Sequence, residues 1–135
     1  MRLHLNIVVP VAGARGLYAA LAALVALDRV YLQAHPRTPA LYESGVRYLR
    51  DAEHATQGTP DAELWLTIPD CLRAGGADCK VLSAWRVAEL LEGGERARPH
   101  VRAPRAGSGT WHVQVKRGDG SIEDPSRLLG MRGAA

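Results

Sequence analysis

Cys79 stands where a thiol can be made reactive. It follows Gly75-Gly76-Ala77-Asp78 and opens a helical pattern. The free N–H groups and dipole of a helix start favour a thiolate and offer a donor to an oxyanion. A cysteine in that place is otherwise a small buried hydrophobe, so a second group has to decide. His112 supplies it. In Trp111-His112-Val113-Gln114-Val115 the apolar residues 111, 113 and 115 share one strand face, and His112 lies opposite with Gln114. An acid on the partner strand, Asp124 or Glu123, can then fix the imidazole while the imidazole takes the thiol proton. Helix-start cysteine, strand histidine and next-strand acid, in that order, are far more specific than any one of them. A further oxyanion donor is open among Gln114, Gln57 and the indole N–H of Trp65, which makes Trp65 and Gln114 the candidate substrate-binding residues. Trp65 and Trp85 could wall a substrate cleft, but both read more readily as core residues.

The choice of acid depends on strand register. Strict alternation across a short hairpin places Val115 opposite Ile122 on the core side and leaves Glu123 on the His112 face. A three-residue loop, Gly118-Asp119-Gly120, or one bulge turns Asp124 to that face instead.

Other chemistry is weaker. Two cysteines make no disulfide framework, and Cys71 is most simply a buried thiol. No C-x-x-C or H-x-x-x-H spacing joins the cysteines to His4, His35, His54, His100 or His112, so neither a metal nor a cofactor is expected. Lys80, directly after the cysteine, is expected to be solvated. The run Arg96–Arg105 suits phosphate or an acidic partner, and suits equally an edge strand protected by charge.

The elements that must position these groups follow from periodicity. Leu3–Val11 alternates as a strand, and Leu17 to about Ala34 is helical, with Leu17, Leu21, Leu24, Leu27 and Tyr31 on one stripe. Thr38 as N-cap and Pro39 at the first helical position announce a second helix to about Glu53, burying Leu41, Val46, Tyr48 and Leu49. His54–Pro60 is a polar connection, and Asp61–Asp78 is loop with short helical turns. Asp78 caps a helix whose stripe is Val81, Leu82, Trp85, Ala88 and Leu91, and Gly93-Gly94 ends it. Residues 97–101 read as an edge strand and 103–110 as a turn-rich loop. Trp111–Lys116 and Ser121–Asp124 form a hairpin that Pro125 closes, with a loosely ordered tail beyond.

The chain has 135 residues, 47% hydrophobic and 23% charged, which suits one globular domain and excludes disordered or fibrous classes. The apolar run Leu17–Leu27 stops at Asp28-Arg29, short of the roughly 20 residues of a membrane span, and it lacks the flanks of a secretory signal. Seventeen cations against fourteen anions give +3, a solvated basic surface and no specific nucleic-acid footprint. The expected class is α+β: N-terminal helices plus a cysteine-bearing helix packed on a small antiparallel sheet. We expect a single domain over 1–135, with 1–57 supplying strand and helices and 60–131 the site.

Gly76-Ala77-Asp78-Cys79, the run Ala88–Arg98, Trp111-His112-Val113 and Asp124-Pro125-Ser126 together resemble the transglutaminase-like (papain-like) cysteine superfamily. Thr38–Tyr48 and Ile122–Met131 are similar to segments of small members encoded by tailed bacteriophages and prophages. The resemblance implies a transglutaminase/papain-like core with Cys79 as nucleophile, His112 as base and Asp124 as the orienting acid. It implies a thiol hydrolase or acyltransferase acting on an amide or isopeptide bond of a protein or peptide, with phage structural proteins among the partners and no membrane. The setting would be the bacterial host cytoplasm or the virion. The alternative on the same scaffold is a non-catalytic structural or assembly protein. Ala77 in place of a glycine and Lys80 in place of an acid depart from the pattern.

Overall fold

The computed structural model describes residues 13–50, 65–103 and 111–132. The predicted strand Leu3–Val11, the connection His54–Pro60 with Gln57, and residues 104–110 of the turn-rich loop lie outside them. In chain order the elements are α1 (Ala14–Ala34), a 3-10 turn (Leu41–Glu43), β1 (Arg47–Tyr48), α2 (Ile68–Ala74), β2 (Gly76–Ala77) and α3 (Cys79–Glu92). Then follow β3 (Ala97–Arg102), β4 (His112–Arg117), β5 (Ile122–Glu123) and α4 (Pro125–Leu128). The class is α+β, with an antiparallel sheet in the order β3-β4-β5 and a parallel pair, β1-β2.

Alanine-rich α1 packs along α3 and is tied to it by Arg29 Nε, 2.6 Å from Glu92 Oε1. Its buried line is Leu21, Leu24, Val25 and Asp28. Leu27, expected on that line, is 47% exposed, because the inward line follows 21-24-28 and Leu27 falls a residue to one side. The helix is also longer than the apolar run from which the sequence argument began. By length and composition alone it could cross a membrane.

The second helix expected from Thr38 is absent over its described part, residues 38–50. The chain makes one 3-10 turn at Leu41–Glu43 and enters β1. Gly45 adopts a left-handed φ of 81°, which ends helical propagation. Ser44 Oγ then donates to Leu41 O and accepts from Val46 N, a side-chain turn that competes with helix. Thr38 Oγ1 bonds His35 O instead of capping. Leu41 and Val46 are nevertheless buried, as the apolar pattern required.

α3 is the hub of the core. Val81, Leu82, Ala84, Trp85, Val87 and Ala88 are all buried, with α1 on one side and the sheet on another. Ser83 Oγ donates to Val113 O at 3.0 Å, fixing the helix along β4. In the hairpin, Arg117 N donates to Ser121 O at 2.9 Å, and Gly120 takes a φ of 88°. The loop is therefore the three-residue one. Val115 pairs with Glu123 and Lys116 with Ile122. The plain-alternation register, Val115 against Ile122, is overturned, and Ile122 is exposed. The expected loose tail is also corrected for 125–132. Asp124 caps α4 through Arg127 N, and Tyr48 N bonds Leu129 O at 3.0 Å.

Candidate active site

Three backbone bonds from one short segment place the cysteine and the acid. Arg47 N donates to Gly75 O at 3.1 Å and Leu49 N to Ala77 O at 2.8 Å, while the intervening Tyr48 N reaches Leu129 O. β1 thus staples the lead-in of α3 to the segment that follows Asp124. Gly76 makes this approach possible, since a Cβ there would run into the Arg47 carbonyl and the Leu49 side chain. Cys79 then occupies the first position of α3, half-buried and as a free thiol. Asp78 caps the helix by accepting from Val81 N, which leaves the Cys79 N–H among the helix-start donors that lie ahead of the intrahelical ladder.

His112 and Asp124 come from β4 and the end of β5. His112 Nε2 lies 2.8 Å from Asp124 Oδ2. Gln114 Nε2 donates to the same oxygen at 3.2 Å, and Asp124 Oδ1 accepts from Arg127 N at 3.5 Å. One carboxylate therefore caps α4 with one oxygen and holds the imidazole with the other. Burial pushes Asp124 up, but the His112 and Gln114 bonds outweigh it and hold the acid below the usual carboxylate range. The His112 imidazolium is favoured first by the Asp124 bond and next by a hydrogen bond with Cys79, against the opposing effect of burial, and its midpoint stands at about 9. With Nε2 committed to Asp124, Nδ1 is the ring nitrogen left for the cysteine. In the neutral ring Nε2–H donates to the acid, so Asp124 fixes the tautomer and the ring orientation.

The remaining predicted residues separate clearly. Glu123 faces away from His112. Its carboxylate takes Arg86 Nε at 2.5 Å, Arg117 Nη1 at 3.1 Å and the Tyr42 hydroxyl at 2.5 Å. Gln114, a candidate oxyanion donor, is instead spent on Asp124. Trp65 is half-buried, with its ring 5.6 Å from Lys80 Nζ. Trp85 is fully buried in the core. Lys80 is not solvated: it is buried and ion-paired with Asp78, where the carboxylate and the indole face replace its water. Cys71 is buried, and burial first, then the nearby Asp28 and Asp78 carboxyls, pushes its thiol up to about 12. It is inert at neutral pH.

Two residues at or behind the site escaped the sequence reading. The Tyr48 phenol is raised by burial first and then by the proximity of Cys79 and Asp78, but the helical pattern marked it only as core. Asp28 is fully buried and accepts from Ile68 N at 3.0 Å at the start of α2. Burial, opposed by that bond, raises it to about 8. A lone Asp at the end of an apolar run carries no sequence signal for this role. Comparison with protein-family models, with curated proteins and with solved structures finds no match.

Proposed function

We propose that this chain is a thiol enzyme of the transglutaminase-like (papain-like) kind, acting on an amide or isopeptide bond of a polypeptide. One observation carries the reading: His112 is held by Asp124 at 2.8 Å and has its midpoint raised by the neighbouring Cys79, which opens a capped helix. His112 Nδ1 holds the thiol proton as Sγ bonds the acyl carbon, in keeping with an imidazole midpoint of about 9. The oxyanion forms beside the Cys79 N–H. Collapse breaks the C–N bond while His112 returns the proton to the departing amine, leaving a thioester. Water or a second amine then gives its proton to His112 and attacks, and the thiol leaves with that proton. Asp124 stabilises the imidazolium throughout without being protonated. The family resemblance of the motifs sets this chemistry in a tailed phage or prophage and its host's cytoplasm.

Labelling the full chain with iodoacetamide at pH 7 tests the reading. Cys79 is expected to react at least tenfold faster than Cys71, and His112→Ala should erase the difference while circular dichroism stays native. Equal labelling of the two cysteines, or an unchanged Cys79 rate in His112→Ala, would instead support a non-catalytic structural or assembly scaffold.

A further inference from the structure

The antiparallel register distributes charge unevenly over the two faces of the sheet. His112, Gln114 and Lys116 pair with Arg102, His100 and Arg98, so these six side chains share one face. Gly118 N donates to Arg96 O at 2.9 Å, and a Cβ on Gly118 would meet Arg96 Cβ at 2.8 Å, which places Arg96 on the same face. Among the described residues none of Arg96, Arg98, Arg102 and Lys116 has a carboxylate within ion-pair distance. The acids nearby are committed elsewhere: Glu92 to Arg29, Glu89 to Arg86, Glu95 to Arg117, and Glu123 to Arg86 and Arg117, while Asp119 in the hairpin loop accepts from Ser121 N and Oγ. Asp124, which reaches this face, is held by His112.

Edge protection does not require these cations. Pro99 has no N–H to offer, and the Val101 N–H is taken by the Tyr18 hydroxyl at 2.9 Å, so the outer edge of β3 is already blunted. The stripe begins at Arg102, directly opposite His112, and runs to Arg96. At about 3.3 Å per residue this is about 20 Å, the reach of roughly six residues of extended peptide. Arg96 and Arg98, with Lys116 and Gly118, also line an open depression at the far end of the stripe.

We infer that this face binds an acidic stretch of the polypeptide substrate and delivers the adjoining acyl group to Cys79. The inference rests on the thiol-enzyme reading above, because a thiol and an imidazole at the head of the stripe require an acyl carbon. A nucleic acid offers none, and four cations on a chain of net charge +3 are a small footprint for one.

Fluorescence anisotropy with the full chain at low salt tests it, using an identically labelled glutamate-rich peptide and its glutamine counterpart. The acidic peptide should bind at least tenfold more tightly, as two or three exposed ion pairs provide. Arg98→Glu with Lys116→Glu should abolish that preference, and Arg98→Gln with Lys116→Gln should reduce it. The iodoacetamide rate of Cys79 should be unchanged in both pairs, which also shows that they fold. Equal binding of the two peptides by the native chain overturns the inference, whatever the reactivity of Cys79. Tighter binding of a single-stranded oligonucleotide, lost in the charge-reversed pair, overturns it in favour of nucleic acid. Slow iodoacetamide labelling in the native chain is the separate failure of the enzymatic reading.

Discussion

Replacing Asp124 by Asn separates the two acids that compete for His112. The imidazole is raised from 6.5 to about 9. At about 1.4 kcal/mol per pH unit the full rise corresponds to about 3 kcal/mol. With 19% of the His112 side chain in contact with solvent, screening reduces this to about 2 kcal/mol. Asp124 is the largest contributor, ahead of Cys79, so about half is lost in Asp124→Asn. That lowers the His112 midpoint by roughly one pH unit and slows Cys79 alkylation at pH 7 by roughly five- to tenfold. Asn is as good an N-cap as Asp, so α4 survives. Glu123→Gln leaves the Cys79 rate unchanged and instead costs about 2 kcal/mol, because Arg86, half-buried, loses one of its two carboxylates. The readouts are an NMR titration of the His112 ring and alkylation followed by mass spectrometry. The sign is also fixed for stability. His112 binds its proton more tightly when folded, so the contribution of Asp124 through it is fully present below pH 6.5 and lost as pH rises through about 9. A larger effect on Cys79 from Glu123→Gln than from Asp124→Asn refutes the assignment.

Two further substitutions probe the frame behind the site. Asp28 keeps its proton to about pH 8 when folded, against 3.8 ordinarily, so the native state binds more protons and stability falls across that window. Asp28→Asn retains the acceptor for Ile68 N and should be near neutral at pH 4, but stabilising by about 1–3 kcal/mol at pH 8, as read by urea denaturation. Gly76→Ala should cost about 2–3 kcal/mol, because its Cβ collides with the Arg47 carbonyl and Leu49. The same substitution should slow Cys79 labelling by disturbing the β1–β2 staple, and a native melting temperature in that variant would refute the staple.

The start of α3 was legible because its signals are local: Asp78 as cap, a clean apolar stripe and two closing glycines. The hairpin was legible only as two alternatives. Side-chain period two fixes faces, but the loop conformation fixes register, and it is Gly120 in its left-handed conformation that places Asp124 beside His112. The helix expected from Thr38 fails over the described residues 38–50, where tertiary context overrides propensity. Its backbone is worth more as β1, bonded to Ala77 on one side and Leu129 on the other. Lys80 and Asp28 were invisible for a related reason. A single charged letter does not reveal the partner that makes its burial tolerable, and those partners are an adjacent carboxylate in one case and a backbone N–H 40 residues away in the other.

The central claim is that Cys79 accepts an acyl group and that His112 and Asp124 drive its transfer. Mixing the full chain with p-nitrophenyl acetate and following both p-nitrophenolate release and intact mass tests it most directly. The account predicts a stoichiometric burst with the acetyl group on Cys79, then turnover. In His112→Ala the burst should be lost, and in Asp124→Asn it should be slowed by roughly five- to tenfold. Acetylation spread over lysines, or a burst that survives in Cys79→Ala, would contradict it.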